Sequence, residues 1–143
     1  YWLERKNTHD CIYLDFMETL RTDLNRDLFL GLFEYECHYA LYPPGGFYKK
    51  HIDALKGERN RIVSTVLYLN EHWQDGDGGE LILYDPADET RILHTVQPRF
   101  GTCIFFMSED IPHEVIPAKK PRKSIAGWFR CNASSADRVD PLR

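Results

Sequence analysis

Between Phe33 and Cys131 the chain is cut into eight short runs rich in β-branched and aromatic residues, and this limits the fold more than any other feature. In the first run Phe33, Tyr35, Cys37, Tyr39 and Leu41 alternate with Glu34, Glu36, His38, Ala40 and Tyr42. That is the period of a strand, whose successive side chains point to opposite faces. The other runs are Phe47–Ile52, Ile62–Leu69, Glu80–Tyr84, Arg91–Val96, Thr102–Met107, Glu114–Pro117 and Lys123–Cys131. Turn clusters separate them, among them Tyr42-Pro-Pro-Gly-Gly, Gln74-Asp-Gly-Asp-Gly-Gly79 and Asp85-Pro-Ala-Asp88. Many short strands in one chain predict a double-sheet jelly roll of the double-stranded β-helix kind. One helix is predicted ahead of the strands, over 13–25, because Leu14, Met17, Leu20 and Leu24 follow a 3-4 spacing. It should cover the outside of one sheet. The expectation is a mainly β domain with a flanking N-terminal helix, the barrel occupying about 32–131.

The 143 residues suit a single domain with its own core. No repeat or linker is visible, and the polar stretch 132–143 should be loosely ordered. A net charge of −4 argues against nucleic acid as a partner, because phosphate contacts need a basic face. No apolar run approaches the roughly 18–20 residues that cross a membrane, and no signal-peptide pattern is seen. Cys11, Cys37, Cys103 and Cys131 are scattered, with no C-x-x-C pair. Free thiols in a reducing cytoplasm are the expectation, with Cys37 and Cys103 in the core.

The chemistry concentrates in His51-x-Asp53 and a later His113. Residues i and i+2 of a strand share a face, so His51 and Asp53 can reach one ion. His113 must then come from another strand. Two imidazoles and one carboxylate on one face of an ion leave positions open for a cosubstrate and O₂, the pattern of non-heme Fe(II) oxygenases. Arg122 follows His113 by nine residues, in His113-Glu-Val-Ile-Pro-Ala-Lys-Lys-Pro-Arg122-Lys-Ser-Ile-Ala-Gly-Trp128.

Together with Tyr42-Pro-Pro-Gly-Gly-Phe-Tyr-Lys-Lys-His51-Ile-Asp53, Thr65-Val-Leu-Tyr68-Leu-Asn70 and Gly78-Gly79, these motifs resemble the Fe(II)- and 2-oxoglutarate-dependent dioxygenases. The nearest likeness is to the prolyl hydroxylases related to those of the hypoxia-inducible factor, and it runs from about Phe33 to Arg130. The resemblance implies a cupin-like dioxygenase fold, with His51, Asp53 and His113 as catalytic iron ligands. It implies Arg122 and Tyr68 as the anchor of the far carboxylate of 2-oxoglutarate. A guanidinium fork matches a carboxylate better than any other cation. Ser124, on the face of Arg122 by period two, is expected to add a hydroxyl, and Tyr42 to line the cosubstrate pocket. Trp128 should wall that pocket on the substrate side. Arg61, at the end of the polar loop from Ala54, should contact substrate. The implied reaction hydroxylates a C–H bond, most of all that of a prolyl residue in a protein or peptide. The 2-oxoglutarate becomes succinate and CO₂, with O₂ as the second cosubstrate and ascorbate as reductant.

Three departures narrow this. The halogenating relatives carry a small apolar residue at the carboxylate position, where this chain has Asp53. The alkylation-repair dioxygenases carry a second arginine six residues after the anchor, where this chain has Trp128. Asp75-Gly-Asp77-Gly-Gly-Glu80 resembles a calcium loop, but its ligand spacing is wrong, and it reads as a hairpin turn. His38 has no ligand at i+2 and is expected to back the site; His72 and Trp73 are expected at the surface and in packing. The rival readings are the same chemistry on a free amino acid or small metabolite, and a non-catalytic jelly-roll binding module.

Overall fold

The computed structural model describes residues 1–53 and 60–131. One helix precedes eight strands: α1 (Thr8–Leu28), β1 (Leu32–Tyr42), β2 (Tyr48–His51), β3 (Arg61–Tyr68), β4 (Leu81–Asp85), β5 (Asp88–Val96), β6 (Cys103–Met107), β7 (His113–Val115) and β8 (Arg122–Cys131). The strands form two antiparallel four-stranded sheets, in the orders β1-β8-β3-β6 and β2-β7-β4-β5. Consecutive strands therefore alternate largely between sheets, as the double-stranded β-helix requires. Among the described residues no helix is long and apolar enough to cross a membrane. Residues 54–59 of the polar loop expected from Ala54 to Arg61, and the tail 132–143, lie outside the described residues.

Helix α1 begins five residues before the expected start. The Asn7 side chain caps it by accepting from the Asp10 backbone N–H at 2.8 Å. The first turn is polar, so its apolar spacing is silent there. The helix stops at Phe29, in the left-handed conformation, followed by Gly31 with φ +66°. Its apolar face covers the outer side of the first sheet. Met17 is fully buried against Leu32, Val63 and Phe129. A second cluster joins Leu14 to Cys37 and Ile125. Cys103, on the edge strand β6, is only half-buried; Cys37, on β1 at the other edge, is buried as expected because Leu3, Tyr13 and Leu14 pack over it.

The opposite parity faces inward. His38 and Tyr42 on β1, Val66 and Tyr68 on β3, and Arg122, Ser124, Ala126 and Trp128 on β8 line a cavity of about 640 Å³ between the sheets. Its apolar base is formed by Leu81, Leu83, Phe106 and Val115. Gly78 and Gly79 shape the turn before β4. A Cβ on Gly78 would fall 2.3 Å from the Pro117 carbonyl oxygen, and one on Gly79 would fall 3.2 Å from both Arg122 and Trp73. Both have positive φ, so only glycine fits. Trp73 is buried there while His72 is exposed.

Candidate metal centre and cosubstrate pocket

Strands β2 and β7 pair so that His51 lies directly opposite His113. Asp53 sits two residues on, beyond the end of β2 rather than within it. It still reaches the same point: Asp53 Oδ1 is 3.3 Å from His51 Nε2 and 3.1 Å from His113 Nε2. One ligand atom from each of the three lies within 4.8 Å of the others.

Each imidazole has its tautomer fixed by the backbone. His51 Nδ1 is 2.7 Å from the Lys49 carbonyl oxygen, and His113 Nδ1 is 3.0 Å from that of Ile111. A carbonyl only accepts, so Nδ1 carries the hydrogen, and in the neutral ring Nε2 presents a lone pair. Three lone-pair donors this close repel one another unless a proton on His113 or a metal ion lies among them. Ligands about 2.1 Å from one ion and at right angles stand about 3 Å apart, which these separations match. Burial raises the Asp53 carboxyl, but the hydrogen bond and charge of His113, then Ser64 and Trp128, outweigh it and hold the group well below the usual carboxylate range. Burial lowers His113, and Asp53 more than offsets that, leaving the imidazole above its ordinary value. The donor set fits a hard or borderline divalent ion.

The second group is Arg122. It is 3% exposed, and its Nε and Nη2 are buried with no hydrogen-bond partner. Its guanidinium lies 4.6 Å from the centre of the Tyr42 ring. A desolvated cation with open donors is an anion site. Tyr68 is buried, and burial pushes its hydroxyl up to about 12, with the charge of Arg122 pulling it partly back down. It stays protonated and can donate to an anion beside Arg122. Ser124, also buried, is on the same wall.

Of the remaining expected residues, Trp128 does more than wall the pocket: its indole N–H donates to Asp53 Oδ2 at 3.2 Å. Arg61 is the first residue of β3 rather than the end of a loop. Its guanidinium lies 3.8 Å over the Trp128 ring and 3.3 Å from Glu36 Oε1. His38 lies between the rings of Trp2 and Trp128 and is not among the converging ligands. The sequence reading did not find Glu36, Tyr48 or Ser108. Tyr48 bonds the Tyr42 hydroxyl, and Ser108 bonds Ser64. Ser64, on β3, donates to Asp53 Oδ2 at 2.5 Å.

The model of the 2OG-Fe(II) oxygenase superfamily matches residues 37–130, which include His51, Asp53, Tyr68, His113, Arg122 and Trp128. The chain belongs to that superfamily. The family implies Fe(II), 2-oxoglutarate and O₂. A crystal structure of a Pseudomonas putida prolyl-4-hydroxylase superposes with a TM-score of 0.85 at 46% identity, over 91% of this chain and 72% of that one. A Trichoplax adhaerens prolyl hydroxylase, in complex with a hypoxia-inducible factor oxygen degradation domain peptide fragment, gives 0.76 at 29% identity, over 90% and 59%. A hypoxia-inducible factor prolyl hydroxylase of Caenorhabditis elegans is 37% identical over 93 residues, 63% of this chain. The chain spans only 12% of that relative's length.

Proposed function

We propose that this domain hydroxylates a prolyl residue in a protein or peptide, converting one 2-oxoglutarate and one O₂ to succinate and CO₂ for each C–H bond oxidised. The observation that carries the reading is one cavity holding both the His51–Asp53–His113 convergence and the buried, unpartnered donors of Arg122. His51, Asp53 and His113 would hold Fe(II). The iron supplies O₂ activation coupled to decarboxylation of the cosubstrate. Arg122 would pair with the far carboxylate of 2-oxoglutarate, helped by the protonated hydroxyl of Tyr68 and by Ser124 and Tyr42 on the same wall. The apolar base around Phe106 and Val115 keeps water from the reacting atoms.

Substrate would enter beside His51, which is exposed to solvent. Arg61 and Trp128, in contact with each other and both lining the cavity, would contact an extended segment, with the Trp128 ring offering an apolar face to a pyrrolidine ring. A prolyl substrate is also what the hydroxylases named above act on. Ascorbate is the expected reductant for iron left oxidised by uncoupled turnover. The free cysteines suit a reducing, cytoplasmic setting.

The test is to incubate the iron-loaded protein and 2-oxoglutarate with Pro-containing peptides and a cell extract, then map oxygen addition by mass spectrometry. A gain of about 16 Da (one oxygen) on proline supports the assignment. The same gain only on a free amino acid or small metabolite would replace the prolyl substrate and keep the chemistry. Arg61→Ala should lower peptide hydroxylation while leaving peptide-independent 2-oxoglutarate turnover in place.

A further inference from the structure

The two oxygens of Asp53 are treated differently. Oδ1 faces both histidine Nε2 atoms at 3.1 and 3.3 Å. Oδ2 turns away and accepts two hydrogen bonds, from Ser64 Oγ at 2.5 Å and from Trp128 Nε1 at 3.2 Å. A carboxylate oxygen has two lone pairs, so Oδ2 is filled. Ser64 is itself oriented. Its hydroxyl has one hydrogen, which goes to Asp53, so at the 2.9 Å contact with Ser108 the donor is Ser108. Ser64 and Ser108 are fully buried, leaving no water to take either role. The relay Ser108 to Ser64 to Asp53 runs one way only.

We infer that Ser64 and Trp128 are positioning residues that keep Asp53 a one-oxygen ligand, with Ser108 setting the hydroxyl of Ser64. This rests on the metal reading of the site. A divalent ion of six coordination positions keeps three open beside two imidazoles and one carboxylate oxygen. A cosubstrate chelating through two atoms and an O₂ molecule fill all three. If Oδ2 also swung onto the ion, one position would be lost, and cosubstrate and O₂ would compete for the remainder. Outer hydrogen bonds that orient a ligand commonly change metal affinity or activity 10- to 100-fold when removed. Here the consequence is specific: the number of open positions.

The experiment loads the metal-free protein with Mn(II) and measures water-proton relaxation per bound ion, which reports coordinated waters without turnover. Wild type should carry three exchangeable waters. The Ser64→Ala/Trp128→Phe double variant, which frees Oδ2 and keeps an aromatic ring at 128, should lose one, about one-third of the effect. Ser64→Ala and Ser108→Ala alone should give intermediate losses, and Ser64→Thr, which restores the hydroxyl, should recover most of the wild-type value. Thermal unfolding identifies any variant that fails to fold, and the single variants then carry the test. Wild type that binds no Mn(II) would overturn the metal reading itself. Wild type with three waters and folded variants that keep all three would overturn only the positioning role.

Discussion

Arg122 gives the sharpest test of the pocket, because its predicted effects on stability and on binding have opposite signs. Its guanidinium is 3% exposed, with two of its nitrogens unpartnered. Desolvating an ion costs several kcal/mol in a folded protein. The Tyr42 ring at 4.6 Å returns about 2 kcal/mol of cation–π attraction, less than that cost. Without a bound anion the residue is therefore a net cost to the fold. Arg122→Met keeps the aliphatic stem and removes the charge, so the cosubstrate-free protein should be no less stable and by analogy with buried charges replaced by apolar groups should gain on the order of 1–4 kcal/mol. Binding should move the other way. Removing one member of a buried charged pair costs about 2–5 kcal/mol, which is about 30-fold to about 4,000-fold in 2-oxoglutarate affinity. The assay is thermal unfolding with Mn(II) in place of iron, titrated with 2-oxoglutarate. Wild type should gain about 2.7 kcal/mol at a hundredfold excess over its dissociation constant, and the variant should gain no more than about 0.9 kcal/mol at that concentration. An unfolding midpoint several degrees lower, with an unchanged cosubstrate titration, would make Arg122 a structural residue and refute the argument.

Three further outcomes are expected. Asp53→Ala should abolish hydroxylation and weaken Mn(II) binding, measured by titration of the metal-free protein, because the one anionic ligand is gone. The Asp53–His113 contact should stabilise the metal-free protein most between the ordinary carboxylate and imidazole values, about pH 4 to about 6.5: the depressed Asp53 loses its contribution as pH falls through its folded value, and the raised His113 loses its own as pH rises through its folded value. Added Mn(II) should reverse the upper limb, stabilising more as pH rises and His113 gives up its proton, which unfolding midpoints from pH 5 to 8 would reveal. Gly127→Ala should cost about 1–3 kcal/mol by denaturant unfolding, because a Cβ there falls 2.3 Å from the Tyr35 hydroxyl oxygen and 2.7 Å from Cys37 Cβ, on the helix side of the sheet.

The strands were legible because alternation is a local signal. All eight appear where the period-two runs and turn clusters put them, and their ends shift by up to about three residues. The inward residues of β8 were legible for the same reason, since a strand keeps i and i+2 on one face; Asp53 lies past the end of β2, so the His-x-Asp…His spacing and the offset to Arg122 were legible from the family motif and not from strand period. The rest depends on contacts that no local pattern encodes. The order β1-β8-β3-β6 puts the C-terminal strand between the first and third. Only that placement brings Trp128 to Asp53, 75 residues away, and Glu36 to Arg61. Glu36 read as the polar half of an alternating strand, and nothing in the run Ile62–Leu69 set Ser64 apart. The capped first turn of α1 was missed because hydrophobic spacing is silent where the turn is polar, although Asn7-Thr8-His9-Asp10 carried the cap.

Strand β8 explains why this pocket needs a rigid sheet rather than a set of loops. Arg122, Ser124, Ala126 and Trp128 all line the cavity from one strand. Arg122 stands at one end, and Trp128 touches the Asp53 carboxylate at the other. The two are six residues apart, about 20 Å of extended chain. Because β8 is hydrogen-bonded on both sides, by β1 and by β3, that spacing is held twice over. A slip of one residue would turn all four side chains outward and replace them with Lys123, Ile125, Gly127 and Phe129, exchanging the anchor for residues that meet the helix. The outward face guards against this, since Phe129 is fully buried beside Met17 and Ile125 beside Cys37. The hydrophobic contact with α1 therefore fixes the register, and the register fixes the distance between the guanidinium and the His51–Asp53–His113 cluster. In this fold the helix, which contributes no residue to the cavity, helps set the length of the molecule that the cavity can hold.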